Sequence, residues 1–287
     1  MTIPIIERAG PLLSRYRVLL CDVWGVVHDG ITAYPGANEA LPRFRRAGGI
    51  VVLVSNAPRP GPSVARLLDE KSVVRETWDA IVTSGDIALS HIAEAGYKRL
   101  YRIGPEPRDS AFFDGLPGPH VTIEDAEAIV CTGLNRDRHE QPEAYLPLLE
   151  EALARNLPFV CANPDLAVHV GADLLPCAGA IAALYEARGG TVFWAGKPHP
   201  VAYLTGLARA AELASGPLDR SQVLAIGDAV RTDLAAAAGA GVDSLLIAGG
   251  LHRDEVMTGG AIDPVRLASL LAPPAPRPVA AMLHLAW

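Results

Sequence analysis

Charged and polar side chains follow four of the apolar runs in this sequence, and their types are those that do chemistry. They are Asp22, the pair Ser55 and Asn56, Lys197, and the pair Asp228 and Asp233. A carboxylate held rigidly at the end of a buried strand, as expected for Asp22, can attack an electrophile or bind a metal ion. Each position alone has a commoner role as a loop cap, a turn residue or a solvated charge. Their ordered recurrence after strands favours one shared site.

The apolar runs themselves predict the strands of a parallel sheet. Six of them have the continuous apolar character of strands that are buried on both faces. They span Arg17–Trp24, Ile50–Asn56, Ala80–Ser84, Thr191–Ala195, Gln222–Gly227 and Ser244–Ala248. Helical stretches such as Val201–Leu213 and Thr232–Ala240 alternate with these runs, which predicts right-handed βαβ crossovers and an α/β fold. Ligands of open α/β sheets bind beyond the carboxyl ends of the strands, where the candidate residues stand.

The middle of the chain predicts a second α/β unit inserted into the first. Its strand-like runs are Arg99–Gly104, Ala128–Leu134 and Leu157–Ala162, with a helix near Glu143–Arg155. Strands of the first sheet are expected to resume near Thr191. We therefore predict a core formed by residues 1–85 and 189–287, and an inserted unit formed by residues 86–188.

Composition narrows the class of protein further. The chain has 287 residues, of which 50% are hydrophobic and 20% charged, so it can bury a large core. Its formal net charge of −7 argues against nucleic acid as a partner, and no apolar run approaches the roughly 18 residues that span a bilayer. The four cysteines are widely spaced in or beside apolar stretches, which predicts reduced core thiols rather than a zinc site. The first 17 residues lack a signal-peptide pattern, so we predict a cytoplasmic location.

The candidate residues, taken with their neighbours, resemble the motifs of the haloacid-dehalogenase-like (HAD) phosphohydrolases. In chain order the motifs are Leu20-Cys21-Asp22-Val23-Trp24-Gly25, Val54-Ser55-Asn56, Gly196-Lys197-Pro198, and Gly227-Asp228 with Thr232-Asp233. The insertion between the second and third motifs, with Ala162-Asn163-Pro164-Asp165 near its end, is similar to that of the sugar-phosphatase-like, NagD-like subclass IIA. The resemblance spans nearly the whole chain. It implies a doubly wound parallel-sheet, Rossmann-like core with an inserted α/β cap domain.

The resemblance also implies how the motif residues would act on a phosphate ester. Asp22 is the expected nucleophile, which forms an aspartyl-phosphate that water then cleaves. Ser55 and Asn56 are expected to bind the phosphoryl oxygens. Lys197 is expected to bind the same oxygens and to offset their charge during catalysis.

Mg²⁺ is the cofactor that the resemblance implies. This ion prefers octahedral oxygen coordination and keeps several waters, so a small set of protein ligands suffices. The expected ligands are the carboxylates of Asp22 and Asp228 and the backbone carbonyl of Trp24. Asp233 is expected to stand behind these ligands, where it orients a water molecule or Lys197.

Trp24 departs from the family pattern. Phosphatases of this family usually carry a second Asp two residues after the nucleophile, and that Asp protonates the leaving oxygen. Indole does no acid–base chemistry at neutral pH, and general acid–base help is typically worth roughly 10²- to 10⁴-fold in rate. His28 and His199 are candidate substitutes, although a lone His near a site is more often a structural hydrogen-bonding partner. Asp29-Gly30 favours a turn over a catalytic role.

The expected function is Mg²⁺-dependent hydrolysis of small phosphorylated metabolites of the sugar-phosphate kind. Trp24 keeps two alternatives open: a hydrolase of another bond built on the same fold, and a phospho-ligand-binding protein whose catalysis has decayed. The expected partner is the small phosphorylated metabolite, with neither nucleic acid nor membrane. The physiological substrate and the oligomeric state stay open, and a homodimer is one alternative for the latter.

Overall fold

A computed structural model describes residues 3–170 and 173–287 of the chain, apart from the side chains of His169 and Val170. Its strands, in chain order, are β1 (Val18–Cys21), β2 (Ile50–Ser55), β3 (Ala80–Thr83), β4 (Leu100–Ile103), β5 (Ala128–Cys131), β6 (Phe159–Cys161), β7 (Ala167–Val170), β8 (Asp173–Pro176), β9 (Val192–Trp194), β10 (Val223–Gly227), β11 (Asp243–Ile247), β12 (Met257–Thr258), β13 (Ala261–Ile262) and β14 (Ala280–Met282). Its α-helices are α1 (Gly10–Leu13), α2 (Pro35–Arg46), α3 (Gly61–Glu70), α4 (Ser84–Ala95), α5 (Ser110–Phe113), α6 (Leu146–Ala154), α7 (Ala178–Glu186), α8 (Val201–Leu213), α9 (Ala235–Ala240), α10 (Arg253–Val256) and α11 (Pro264–Leu270).

The described residues form two compact units. Unit 1 comprises the chain up to Ser55, Val64–Val82 and Lys197–Trp287. Unit 2 comprises Asn56–Ser63 and Thr83–Gly196. The use of unit 2 as a cap stays a prediction.

A six-stranded sheet forms the centre of unit 1, in the order β14-β11-β10-β1-β2-β3. Strand β1 pairs in parallel with both β10 and β2, and its four residues are fully buried. Cys21 lies opposite Ile226 of β10 and Leu53 of β2, so the three strands end within two residues of the same level. This register brings the residues that follow β1, β2 and β10 to one edge of the sheet. The predicted fold class, an α/β core with a parallel sheet, is confirmed.

Unit 2 has its own parallel sheet of four strands, in the order β4-β5-β6-β9. Strands β7 and β8 form a separate antiparallel pair. A buried cluster packs against the four-stranded sheet, and it includes Phe159 of β6 and Tyr185 of α7, whose rings lie 5.6 Å apart. The Tyr185 hydroxyl donates a hydrogen bond of 2.7 Å to the carbonyl of Leu157, which satisfies this polar group inside the core.

One strand assignment from the sequence is wrong. The run Thr191–Ala195 was expected in the core sheet, but β9 pairs in parallel with β6 in the sheet of unit 2. Its three residues are only partly buried, and an apolar run of this length carries no local signal for the sheet it joins. Lys197 therefore enters unit 1 directly after the last strand of unit 2. Strand β14, which pairs with β11 and follows a segment with four prolines at 273–278, was not predicted.

Two further expectations concern the cysteines and the membrane. The four cysteines, at positions 21, 131, 161 and 177, are buried and free of disulfides, in agreement with the predicted core thiols. Among the described residues, no helix combines the length and the apolar character that crossing a membrane requires.

The central position of β1 makes a prediction about stability. Leu20 is fully buried, and its Cδ2 would lie 3.1 Å from a Cβ built at Gly206 of α8, so strand and helix are in close contact. We expect Leu20→Ala to lower the free energy of unfolding by about 2–5 kcal/mol. Leu204→Ala, at a side chain of α8 that is 44% exposed, is the control and is expected to change it by less than about 0.5 kcal/mol. Urea denaturation measures both, and equal losses would contradict close packing of Leu20 against α8.

Candidate active site

Three buried carboxylates meet at the carboxyl edge of the unit 1 sheet. Asp22 follows β1, Asp228 follows β10, and Asp233 lies in a π-helical turn, Val230–Leu234, that leads into α9. One oxygen of each carboxylate lies within 4.8 Å of an oxygen of the other two. The backbone N–H of Asp22 donates to the carbonyl of Ile226 at 2.8 Å, which extends the β1–β10 pairing to the site. The parallel register thus accounts for this acidic cluster.

Lys197 lies within hydrogen-bonding distance of two members of the acidic cluster. Its Nζ donates to Asp22 Oδ1 at 2.5 Å, to Asp233 Oδ1 at 2.7 Å and to the backbone carbonyl of Val54 at 3.0 Å. The side chain is buried, so both ion pairs are shielded from water. Lys197, predicted from the sequence to join this site, is brought together with Asp22 and Asp233.

Glycines make room for the Asp228 carboxylate. A Cβ built at Gly25 would lie 2.0 Å from Asp228 Oδ2, and one built at Gly250 would lie 2.2 Å from the same atom. Real Cβ atoms do not approach an oxygen this closely, so the carboxylate occupies space that any other residue would fill. The N–H of Leu251 donates to Asp228 Oδ2 at 2.8 Å.

Asp233 has both carboxylate oxygens engaged by the protein. Oδ1 accepts from Lys197 and from the Tyr203 hydroxyl, the latter at 3.4 Å, and Oδ2 accepts from the N–H of Ala229 at 3.1 Å. π-helical turns are rare and frequently occur at functional sites. Asp233 is therefore held in a fixed orientation, with its charge directed at Lys197.

The electrostatics of the cluster follow from burial and from mutual repulsion. Burial raises the pKa of Asp22 to about 7, while the Lys197 ammonium opposes this rise and the charge of Asp233 adds to it. Burial and then the charges of Asp22 and Asp233 raise the pKa of Asp228 well above its usual range. Burial lowers the pKa of Lys197, but the two carboxylates outweigh burial and hold it well above its usual range. Lys197 alone does not compensate the negative charge.

This donor set fits a hard divalent cation. When ionised, three carboxylates and one ammonium leave two negative charges in excess, and Mg²⁺ prefers carboxylate and carbonyl oxygens. Asp22 and Asp228 are the better candidates for ligands, because both oxygens of Asp233 already accept hydrogen bonds from protein groups. The arrangement can thus hold a metal ion beside a carboxylate that is able to act as a nucleophile.

The side chain of Trp24 is 45% exposed and rests on its own loop. Its indole ring makes an edge-on contact with the His28 ring, with centroids 5.3 Å apart. Gly30, at φ +93°, lies so close that a Cβ there would be 2.6 Å from the indole. Trp24 and His28 also form a bridge between their backbones. The indole is therefore held in place on one side and open to solvent on another.

His28, a candidate substitute for the general acid, and its neighbour Asp29 are both engaged in holding this loop. His28 is 1% exposed, and its Nδ1 accepts a hydrogen bond of 2.9 Å from the N–H of Gly30. Burial, assisted by the charge of Lys71, lowers the pKa of His28 to about 4, so its imidazole is neutral near pH 7. Asp29 Oδ1 accepts hydrogen bonds from the N–H groups of Ile31 and Thr32, both at 2.8 Å. This pattern is that of an ordinary turn capped by an aspartate.

Ser55 and Asn56 lie at the carboxyl end of β2, as predicted, but belong to different units. Ser55 is the last residue of β2 and is partly buried. The Asn56 amide donates to Asp165 Oδ1 at 2.8 Å, and its Oδ1 accepts from the Ser84 hydroxyl at 3.4 Å, all within unit 2. The proposed contact of Asn56 with a phosphoryl group stays a prediction.

This chain is similar to several known proteins. The family model described as haloacid dehalogenase-like hydrolase matches residues 19–114, and a HAD-hydrolase-like model matches residues 194–273. The crystal structure of a hydrolase of the haloacid dehalogenase-like family from Brucella suis 1330 is 41% identical and covers 98% of this chain and 100% of its own, with a TM-score of 0.84. Ribonucleotide monophosphatase NagD of Escherichia coli (strain K12) is 28% identical, over 81% of this chain and 88% of its own. An acid sugar phosphatase of Staphylococcus aureus (strain USA300) is 23% identical, over 83% and 89%.

The family models and relatives that match this parallel α/β core and its buried acidic site show that the protein is a hydrolase. The chain belongs to the haloacid dehalogenase-like hydrolase family. The family membership expected from the four motifs is confirmed, and so is the expectation of an enzyme. NagD, after which the expected subclass is named, is among its relatives.

Several residues of the site were missed by the sequence analysis. Gly250 and Leu251 hold Asp228 through close approach and a backbone N–H, and Tyr203 supports Asp233 from α8. His252 Nε2 accepts from the buried N–H of Val230 at 3.2 Å, while its Nδ1 lies 2.9 Å from Glu255. The paired glycines directly after the run Ser244–Ala248 were the one local signal, since this is another carboxyl end of a strand.

The contact between His252 and Val230 makes a prediction about stability. His252→Ala leaves the buried N–H of Val230 without this acceptor, and we expect the free energy of unfolding to fall by about 1–3 kcal/mol. His252→Gln retains an acceptor on a side chain of similar reach and is expected to lose less. Chemical denaturation of both variants measures the difference. If the two variants are equally destabilised, the hydrogen bond is not the cause.

Proposed function

We propose that this protein is a Mg²⁺-dependent phosphohydrolase that acts on small phosphorylated metabolites through Asp22. The observation that carries the proposal is the contact between the Asp22 carboxylate and the Lys197 ammonium, at 2.5 Å, beside Asp228 and Asp233. It combines a nucleophile, a positive charge for phosphoryl oxygens and an acidic pair for a metal within one buried cluster. The phosphatase names of two relatives support the same conclusion.

Asp22 would carry the reaction in two displacements. A carboxylate oxygen of Asp22 attacks phosphorus, the ester P–O bond breaks, and its electron pair leaves with the oxygen of the alcohol. Water then attacks phosphorus, the bond from phosphorus to Asp22 breaks, and inorganic phosphate and the free carboxylate are formed. Lys197 holds one oxygen of Asp22, which fixes the orientation of the attacking carboxylate, and its charge offsets that of the phosphoryl oxygens.

The metal ion would be held by Asp22, Asp228 and the Trp24 carbonyl. Its positive charge would stabilise the phosphoryl oxygens during transfer. Asp233, whose oxygens are bonded to Lys197, Tyr203 and Ala229, would fix the direction of the Lys197 ammonium. Ser55, at the end of β2, would donate its hydroxyl to a phosphoryl oxygen.

A phospho-ligand-binding protein without turnover is the second candidate, and Trp24 is the observation that favours it. The indole cannot protonate a leaving oxygen, and His28 is neutral near pH 7 with one ring nitrogen already engaged. Binding of a phosphate ester with no release of phosphate would support this candidate. Release of phosphate would exclude it.

The nucleophile is tested by Asp22→Asn. The amide has nearly the same shape but does not attack phosphorus, so we expect phosphate release from a panel of phosphate esters to fall by at least about 10³-fold, with Mg²⁺ present. Asp29→Asn is the matched control, because Asp29 caps an exposed turn that Asn also accepts. The control should keep the wild-type rate. Equal rates in Asp22→Asn and the wild type would contradict the mechanism.

The metal ligands are distinguished by titration with Mg²⁺. Asp233→Asn removes a residue that orients Lys197, and a supporting residue of this kind typically costs about tenfold or somewhat more in metal affinity. Asp228→Asn removes an expected ligand and should cost clearly more. Calorimetric titration of the two variants and the wild type measures the affinities. Equal losses in the two variants would contradict the assignment.

A further inference from the structure

Two large apolar side chains are exposed beside the acidic cluster. Trp24 is 45% exposed and Leu251 is 57% exposed, although both belong to segments that hold the site together. The residue after Trp24 is Gly25 and the residue before Leu251 is Gly250, and these glycines flank the Asp228 carboxylate. We call Trp24 and Leu251 the apolar lip.

The lip lies close to the reacting groups because of how its backbone is held. The Cβ positions of Gly25 and Gly250 both lie within 2.2 Å of Asp228 Oδ2, so the two segments approach each other at this atom. The N–H of Leu251 is bonded to the same oxygen. Trp24 is two residues from Asp22, with the buried Val23 between them, so its backbone lies at the same edge of the sheet as Asp22.

The chain is built to hold the indole in place. Gly30 adopts a φ of +93°, a conformation that L side chains rarely adopt, and a Cβ at this position would collide with the indole at 2.6 Å. His28 contacts the indole edge-on and anchors Gly30 through the hydrogen bond to Nδ1. A large side chain held in this way loses little conformational freedom on binding a ligand, because its rotamer is already restricted.

The chemistry at this position favours a particular kind of leaving group. The indole of Trp24 does not protonate a departing oxygen, so a leaving group that is stable as an anion is favoured. A phenolic hydroxyl has a pKa of about 10, whereas water has one of about 16, which alkyl alcohols approach. An aromatic ring also stacks on an indole, which contributes about 0.5–1.5 kcal/mol beyond the area that it buries.

We propose that the apolar lip binds the planar aromatic leaving group of an aryl phosphate monoester, and that Trp24 and Leu251 set this preference. The inference rests on the proposed phosphohydrolase function and names its substrate class. Two independent observations support it: the exposure of the indole and of Leu251 beside the acidic cluster, and the absence of an acid at position 24.

A binding experiment tests the lip without turnover. The full-length protein with Mg²⁺ is titrated calorimetrically with phenylphosphonate and with methylphosphonate, which share the phosphonate group and differ in the ring. We expect the wild type to bind phenylphosphonate about tenfold more tightly. Trp24→Leu and Leu251→Ala should reduce this preference to about threefold or less, and Trp24→Phe should largely restore it. Leu213→Ala, at a side chain of α8 that is 40% exposed, is the control and should not change it.

Three outcomes would overturn the proposal. One is a wild type that binds the two phosphonates equally well. Another is a preference for phenylphosphonate that survives both Trp24→Leu and Leu251→Ala. The third is a loss in Trp24→Leu that is equal for both ligands, which would indicate a structural role for the indole.

A kinetic experiment tests the binding role of the apolar lip separately from the proposed phosphohydrolase function. The release of phosphate from phenyl phosphate is compared with that from acetyl phosphate, whose leaving group is also a stable anion but carries no ring. Trp24→Leu should raise KM for phenyl phosphate about tenfold more than it raises KM for acetyl phosphate. If neither compound is hydrolysed but phenylphosphonate is still preferred, the proposed phosphohydrolase function is wrong. The proposed binding of aromatic rings by the apolar lip is then retained. Equal changes in KM for the two substrates would contradict the proposed role of the apolar lip and leave the proposed phosphohydrolase function intact.

Discussion

The buried ion pairs of Lys197 are the interaction on which the site depends. One ammonium group binds Asp22 after β1, the carbonyl of Val54 in β2 and Asp233 in the π-helical turn, so it joins three segments of unit 1. Removing one partner of a buried ion pair typically costs about 3–5 kcal/mol, because the other charge is left uncompensated in the core. Lys197 therefore links two buried carboxylates and offsets part of their mutual repulsion, and in the proposed function its positive charge would also bind an anionic substrate.

The close approach of backbone to carboxylate is the second constraint. Gly25 and Gly250 both leave space for Asp228, and Gly227 leaves space for Asp233, whose Cβ would lie 2.2 Å from a Cβ at that position. Glycine is required here by steric exclusion rather than by flexibility, except at Gly25, where φ is also +80°. The excess negative charge of the ionised cluster can be relieved by protonation, as the raised pKa values of Asp22 and Asp228 indicate, or by a bound divalent cation.

Trp24 relates the loop after β1 to the chemistry of the substrate. His28 and Gly30 contact the indole and hold it in place. The sequence had suggested His28 as a candidate acid and Gly30 as part of a turn. A polar acid at position 24 would suit leaving groups that need a proton, whereas an exposed indole beside Leu251 presents an apolar surface. In the proposed function, the same loop would replace proton transfer by recognition of the leaving group, and its backbone carbonyl would remain available to a metal.

The sequence by itself determined the parallel α/β class and the chemistry-bearing residues at the ends of β1, β2 and β10, because continuous apolar strands followed by polar residues are local patterns. It also identified Lys197 and the family. Only the tertiary structure decided that Val192–Trp194 joins the sheet of unit 2, since strand pairing depends on partners distant in sequence. The glycines after Ser244–Ala248 indicated a strand end, but the contacts of Gly250 and His252 could not be predicted, because each acts on an aspartate segment more than 20 residues away. Close packing between distant segments, which no local pattern encodes, completed the site.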